Sequence, residues 1–192
     1  IFTMKELCEL FTVEKVHSSP ARFDMKKLEA INGDKIRALT IDEFLNWSLP
    51  FLTKAGVITG SADEIALVKQ ALPLIQERII MLSEVPAMLK FLFVKNFAVE
   101  ADSVAKITDE ASKQVLQRSL KELEPLTTWN HESIEAALRS SLIEEMGLKP
   151  RIAFGAVRIA TTGSTISPPL FESMELLGKE ASLARIRAGL EL

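Results

Sequence analysis

A repeated helix-start signature constrains the fold of this chain more than any other feature. At three predicted helix starts, a serine or threonine is followed three residues later by a glutamate, and the pairs are Thr3 with Glu6, Thr40 with Glu43 and Ser61 with Glu64. In such a capping box, the hydroxyl and the carboxylate each accept a hydrogen bond from a backbone N–H at the helix start. No convincing run alternates apolar and polar residues as a β-strand does. The sequence therefore predicts an all-α fold of about ten helices.

Further signals predict where two of these helices end. Asp24 is expected to cap a helix that stops at Asn32-Gly33, because glycine commonly follows the last helical residue. The helix that Ser61 opens is expected to continue to about Met81, with a kink at Pro73 because proline removes a backbone donor.

The second half of the chain shows the same helical pattern. Thr108 is expected to open the clearest amphipathic run, and Asn130 opens another that Gly147 closes. Caps become sparse and acidic residues gather over 97–103, which predicts a boundary there between two helical subdomains.

Charge and cysteine content exclude several classes of protein. A formal net charge of −3 over 192 residues argues against a protein that coats nucleic acid through bulk positive charge. Basic residues nevertheless concentrate over 22–37 and 149–187, which leaves a specific anion site possible. The single cysteine, Cys8, forms no internal disulfide and is predicted to be a packing residue.

The chain is poor in catalytic patterns. His17 and His131 lie far apart and belong to no metal-binding spacing, so no metal site is predicted. Gly163 and Gly178 fit neither a P-loop nor a dinucleotide-binding loop. From the residues alone, we predict a binding domain and no free-standing enzyme.

The segment 157–172 carries the strongest functional signal. A helix bearing Arg158 leads into a loop of small residues, and Ser167 and Pro168 then introduce a new helix. The free N–H groups of a helix start beside a fixed guanidinium suit the recognition of a nucleic-acid base or phosphate.

Two widely separated segments resemble the bacterial glutamyl-tRNA synthetase family, in the family's order. The run 23–37, FDMKKLEAINGDKIR, resembles one family signature, and Arg158 to Glu180 resembles the closing motif of its anticodon-binding region. Leu74 to Arg78 and Trp129 to Arg139 fall at compatible distances between them, so the resemblance covers essentially the whole chain. The family's ATP-binding signatures are absent, and aromatic residues that relatives often carry are replaced by Ala30 and Lys35.

The resemblance implies the C-terminal half of a glutamate–tRNA ligase, an α-helical cage that grips the anticodon loop. Residues 1–42 would end a stem-contact domain, and 43–98 and 99–192 would be two anticodon-binding subdomains. It implies a cytoplasmic monomer that binds glutamate-specific tRNA and neither DNA nor membrane. ATP and Mg²⁺ are expected for the parent enzyme, with no cofactor or catalytic residue in this chain.

The resemblance also implies roles for individual residues. Arg78 matches the arginine that reads the last anticodon base, where relatives prefer C over G. A second group matches positions around the other anticodon bases, and its members are Arg139, Arg158, Ser167, Pro168 and Leu170. A third group is expected to contact backbone phosphates, and its members are Lys26, Lys27, Lys35 and Arg37.

Simpler interpretations stay open at this point. The chain could be a non-catalytic α-helical protein-interaction domain whose basic residues only solvate its surface. Arg78 could pair with a neighbouring acid, Arg158 could extend along a helix end, and Trp129 is better explained as a packing residue than as a base-stacking platform. A small enzyme with a carboxylate base is disfavoured, because no histidine, metal motif or phosphate loop accompanies the carboxylates.

Overall fold

The computed structural model describes residues 2–16 and 22–192, and these residues form helices and loops with no β-strand. The predicted all-α fold is confirmed. The α-helices of the described residues are α1 (Met4–Leu10), α2 (Met25–Arg37), α3 (Ile41–Lys54), α4 (Ala62–Ala71), α5 (Pro73–Gln76), α6 (Val85–Leu89), α7 (Ala101–Val104), α8 (Glu110–Leu123), α9 (His131–Leu138), α10 (Pro150–Thr162), α11 (Leu170–Leu177) and α12 (Lys179–Leu190). Short 3₁₀ segments cover Val13–Lys15, Leu82–Glu84 and Lys90–Leu92, and a π-helix covers Arg139–Glu145.

The capping boxes form as the sequence predicts, and all three open helices. The third is the most elaborate, because one carboxylate oxygen of Glu64 accepts hydrogen bonds from the backbone N–H groups of Thr59, Gly60 and Ser61. These bonds, that of Ser61 foremost, together with one from the Thr59 hydroxyl, lower the pKa of Glu64 to about 2. The start of α4 is therefore fixed by a carboxylate that stays ionised.

Helix α2 does not stop at Asn32-Gly33, and that prediction is wrong. The helix continues to Arg37, and Gly33 is buried within it. A Cβ atom at Gly33 would lie 3.1 Å from the Arg37 guanidinium and 3.3 Å from Ile80, so the glycine permits close packing and does not end the helix. The Asn32 side chain also contacts this neighbour, because it donates to the Ile80 carbonyl.

The predicted helix from Ser61 to Met81 is also shorter than expected. It ends at Ala71, and Pro73 opens a separate helix, α5, in whose first turn a missing N–H costs nothing. Similarly, Asp109 caps α8 in place of the predicted Thr108, since its carboxylate accepts from the Ser112 N–H at 2.9 Å.

Helix α9 begins at the predicted Asn130 cap and passes directly into the π-helix. Gly147, at φ +68°, follows that segment and permits the reversal. Nothing in the sequence pattern predicts the π-helix, which places Arg139 at its first position.

Buried apolar residues form two clusters. The first core extends from Ile36 to Leu89, and the second extends from Ile107 to Ile186. Leu176 of α11 packs against the first core, so the two halves are in contact. Helix α1 lies outside both, with no buried residue, and Cys8 is exposed, which contradicts its predicted packing role.

Candidate functional site

Arg158 is held in a fixed orientation near the end of α10. Its Nη1 donates to the Ser167 hydroxyl at 2.7 Å and to the Pro168 carbonyl at 2.8 Å. Helix α10 ends at Gly163, whose φ of +85° turns the chain into the loop that presents these two acceptors. Burial lowers the pKa of the half-buried Arg158 guanidinium, and the charge of Arg78 lowers it further.

Arg78 follows α5 and is exposed. Its main-chain N–H donates to the Ile75 carbonyl at 2.9 Å. Among the described residues its guanidinium makes no ion pair, so the alternative of pairing with a neighbouring acid is not observed there. Its charge acts on the guanidinium of Arg158, although the two residues belong to different halves.

The segment that carries Arg78 is anchored to α2. The buried Gln76 side chain donates to the Ile36 carbonyl at 3.0 Å and to the Leu39 carbonyl at 2.8 Å. On the C-terminal side of Arg78, the Asn32 side chain donates to the Ile80 carbonyl. The main chain that carries Arg78 is therefore held against the basic helix.

The four basic residues predicted to contact phosphates do not share one face of α2. An α-helix turns about 100° per residue, so Lys26 and Arg37 lie close to one line and Lys35 lies on the opposite side. Lys26, Lys27 and Lys35 are exposed, whereas Arg37 pairs with Asp34 at 2.6 Å and covers Gly33.

Arg139 lies over an aromatic pair. Its guanidinium carbon is 5.8 Å from the ring centroid of Phe154, and Phe154 meets Phe171 edge-on at 5.2 Å. Glu135 accepts from the Arg139 Nε at 3.1 Å, which holds the guanidinium in place.

An open cleft of about 780 Å³ borders α10. Phe154 and Arg158, one helical turn apart, line it together with Arg151 and with Lys106 from the loop before α8. It thus combines an aromatic wall with three cations, and Asp109 is the acid among its lining residues. The sequence pattern alone did not identify Phe154, although its i, i+4 spacing to Arg158 places the two on one face of a helix. No local sequence signal points to Lys106, which only the tertiary packing brings to the cleft.

Three further predicted residues are buried. Ser167 and Pro168 support Arg158 through the two hydrogen bonds described above. Leu170 is 3% exposed and belongs to the second core. In this arrangement the backbone and hydroxyl of the loop orient Arg158, while the Leu170 side chain packs against other apolar residues.

Trp129 and His131 make contacts within the second half of the molecule. The Trp129 indole donates to the Met174 carbonyl at 2.9 Å, as expected of a packing residue. Glu175 accepts from the His131 backbone at 2.8 Å and contacts its Nδ1 at 2.7 Å. This contact raises the pKa of His131, and the same hydrogen bonds lower the pKa of Glu175. His17 lies outside the described residues.

The described part of the chain contains neither a cluster of metal ligands nor a helix that could span a membrane. No three histidine, cysteine, aspartate or glutamate side chains gather there as a metal site would require. Within the same residues, every helix is too short or too polar to cross a lipid bilayer.

Comparison with known proteins identifies relatives over nearly the full chain. The anticodon binding domain model matches residues 42–190. The chain is 47% identical over 193 residues to a glutamate–tRNA ligase from Saccharopolyspora erythraea and 48% identical over 191 residues to one from Arthrobacter sp.. These alignments cover 99% and 98% of this chain but 38% of each relative, so the chain spans under two-fifths of their length.

Solved structures show the same fold. A glutamate tRNA ligase from Elizabethkingia meningosepticum, in complex with its amino acid, aligns with a TM-score of 0.78 at 21% identity. A glutamate–tRNA synthetase from Elizabethkingia anophelis aligns with a TM-score of 0.76, also at 21% identity. Each match covers 100% of this chain and 37% of the other.

Proposed function

This chain belongs to the anticodon binding domain family, and we propose that it recognises the anticodon loop of glutamate tRNA as part of a glutamate–tRNA ligase. One observation carries the proposal: Arg78 and Arg158 come from different halves of the molecule, yet their guanidiniums are close enough to interact. The charge of Glu172 also acts on Arg158, but it does not offset the combined effect of burial and Arg78 on that guanidinium. Two arginines brought together in this way favour an anionic, hydrogen-bond-accepting ligand.

Arg78 has the chemistry to read the last anticodon base. A guanidinium donates hydrogen bonds and accepts none, so it fits the acceptor groups on the Watson–Crick edge of cytosine. Guanine presents N1–H and N2–H donors on that edge, and these oppose the arginine. Because the side chain of Arg78 is exposed, it is available to a base, and C would be preferred over G.

Arg158 and the adjoining cleft have the features of a site for another unstacked base. Loop bases of RNA are commonly stacked on aromatic or planar groups and read along their edges. Phe154 supplies an aromatic wall, and Arg158 supplies donors that Ser167 and Pro168 have already oriented. Arg139, stacked over Phe154, extends the same surface, and Leu170 supports it from the core.

Phosphate contacts would come from α2. Exposed lysines on this helix lie beside the Arg78 segment, because Gln76 and Asn32 join the two. Such contacts add affinity without reading sequence. The RNA backbone would contact either the face of α2 that carries Lys26 and Arg37 or the opposite face, which carries Lys35. Lys27 lies between the two faces.

The parent protein would attach glutamate to its tRNA with ATP and Mg²⁺, in the cytoplasm and as a monomer that does not bind DNA. We assign no step of that chemistry to the described residues. We further propose subdomains at 43–98 and 99–192 after a stem-contact segment ending at 42; the separation of the two cores supports the division at 98.

Titration of the chain with anticodon stem-loop RNAs tests the proposed function. The RNAs would carry C or G as the third anticodon base, with a DNA hairpin of the same sequence as control. We expect salt-dependent binding that prefers the C variant and excludes the DNA. Equal binding of all three would contradict the proposal, and no binding by a folded chain would favour a protein-interaction domain.

A further inference from the structure

Arg185 of α12 is a buried cation with no role in the site described so far. It is 9% exposed, and among the described residues no carboxylate pairs with it. Its Nη1 donates to the Thr161 carbonyl at 2.7 Å, and its Nη2 donates to the Phe91 carbonyl at 2.8 Å. Its guanidinium carbon lies 3.9 Å from the ring centroid of Phe97.

These contacts join the two halves of the molecule. Phe91 lies in the 3₁₀ segment Lys90–Leu92, directly after the last buried residue of the first core, and Phe97 lies in the connection between the halves. Thr161 belongs to α10, three residues after Arg158. The two N–H donors of the Arg185 guanidinium therefore connect the first half to the helix that carries Arg158.

Neighbouring contacts also link the two halves near Arg185. The Glu100 N–H donates to the Gly163 carbonyl at 2.9 Å, and the Glu100 carboxylate pairs with Lys90 at 2.6 Å. A Cβ atom at Gly163 would lie 3.2 Å from the Ala98 carbonyl and 3.3 Å from the Phe97 ring. The end of α10 is thus pressed against the connecting segment.

A contribution to stability does not by itself explain why a charged residue is buried at position 185. A buried guanidinium loses its hydration, and an apolar side chain of similar volume commonly stabilises a core at least as well. Burial lowers the pKa of Arg185 to about 10, so the side chain stays charged at neutral pH. What the guanidinium supplies, and an apolar side chain lacks, is a fixed geometry between two carbonyls and a ring.

We propose that Arg185 is a positioning residue that sets the spacing between Arg78 and Arg158, and thereby the register in which the two guanidiniums meet the anticodon loop. The proposal rests on the proposed function above. Arg185 would affect base discrimination without contacting RNA. It would do so because Arg78 moves with the first half and Arg158 moves with α10.

The decisive variant is Arg185→Met, which keeps an unbranched side chain but removes both hydrogen bonds. Phe97→Leu is a milder second variant that removes the ring contact of the half-buried Phe97. Arg187→Met is the matched control, since Arg187 lies two residues along α12, is exposed and pairs with Glu124 at 2.6 Å.

Two readouts separate positioning from a general structural role. The first is the ratio of affinities for the C and G stem-loops. We expect Arg185→Met to reduce this ratio at least fivefold, Phe97→Leu to reduce it less, and Arg187→Met to leave it unchanged. A merely structural residue would weaken both stem-loops equally.

The second readout needs no RNA. Spin labels at Lys54→Cys and Gln114→Cys, both exposed, in a Cys8→Ser background would report the distance between the halves by pulsed electron paramagnetic resonance. We expect a narrow distribution that shifts or broadens in Arg185→Met and Phe97→Leu, but not in Arg187→Met.

The combined outcomes distinguish the two levels of proposal. If the unsubstituted chain does not discriminate between the stem-loops, the proposed function fails, even where the spin-label distances still respond to Arg185. If it does discriminate and both the ratio and the distances survive Arg185→Met, the positioning role is overturned. Should Arg185→Met fail to fold, Phe97→Leu decides by the same two criteria.

Discussion

The two halves of the molecule present their arginines in opposite ways. In the first half, Arg78 is exposed, and among the described residues its guanidinium makes no ion pair. In the second half, Arg158 is half-buried and held by Ser167 and Pro168. Immobilising a long side chain on binding costs about 0.5–1.5 kcal/mol, so under the proposed function Arg78 would incur that cost when RNA binds, whereas Arg158 has lost its freedom on folding. In that proposal one arginine adapts to its base, and the other is preorganised.

The largest effect is expected from Arg158→Gln, because this change affects both folding and binding. It would remove the two hydrogen bonds that the Arg158 Nη1 donates to the Ser167 hydroxyl and the Pro168 carbonyl, at a cost of about 1–2 kcal/mol in the free energy of unfolding. Affinity for both stem-loops should fall tenfold or more. Urea unfolding and stem-loop titration measure the two effects, and wild-type values in both would show that Arg158 is not preorganised for binding.

Arg78→Gln should affect specificity alone. Since a good bidentate base contact is worth about 1–3 kcal/mol of discrimination, preference for the C stem-loop should fall by roughly a factor of ten or more. The free energy of unfolding should change by less than about 0.5 kcal/mol, as for other exposed positions. Retained preference for C would remove Arg78 from base reading, and a large loss of stability would end the contrast with Arg158.

Lys27→Ala tests whether α2 contributes affinity without specificity. Both stem-loop affinities should fall by the same small factor, and the salt dependence should decrease by about one unit of slope. The stem-loops used for this measurement must keep their base-paired stem, because Lys27 is proposed to contact backbone phosphates. Lys121→Ala on α8, also an exposed lysine, controls for the general loss of a charge. A selective loss for one anticodon would contradict a phosphate role for Lys27.

The halves should also differ in their response to pH. In the second half, the contact with Glu175 raises the pKa of His131, so its stabilisation is complete below pH 6.5 and is lost as pH rises through the raised value. In the first half, Glu64 has a pKa of about 2, so its stabilisation is complete above pH 4.5 and is lost as pH falls towards 2.

Chemical denaturation of His131→Gln and Glu64→Gln across this range measures both effects, which are the smallest expected here. The difference between His131→Gln and the unsubstituted chain should shrink on going from pH 6 to pH 8. For Glu64→Gln the difference should shrink below pH 4.5. A difference that stayed constant with pH would contradict the contact at that site.

Local signals in the sequence predicted much of the fold because helix caps are local. Thr40 with Glu43 and Asn130 each determine a helix start through groups within three residues, and these starts are confirmed. Gly33 was misinterpreted because its role depends on Ile80, 47 positions away in the chain, against which it packs. The π-helix at Arg139 likewise has no local signature.

The candidate site divides in the same way. Arg158 and its loop were evident from consecutive residues, whereas the approach of Arg78 to Arg158 depends on how the two halves pack. The contacts of Arg185 with Phe91 and Thr161 are of this second kind, since they join positions 94 and 24 residues apart. The residue assignments to RNA came from family resemblance and stay predictions.

A nucleotide-resolution footprint of a bound glutamate tRNA tests the shared arginine site most directly. Chemical probing would compare the unsubstituted chain with Arg78→Gln and Arg158→Gln. We predict protection of all three anticodon bases by the unsubstituted chain, loss of protection at the third base alone in Arg78→Gln, and loss at the other two in Arg158→Gln. Protection confined to the tRNA stem, or an anticodon pattern that neither substitution alters, would contradict a site that these two arginines share.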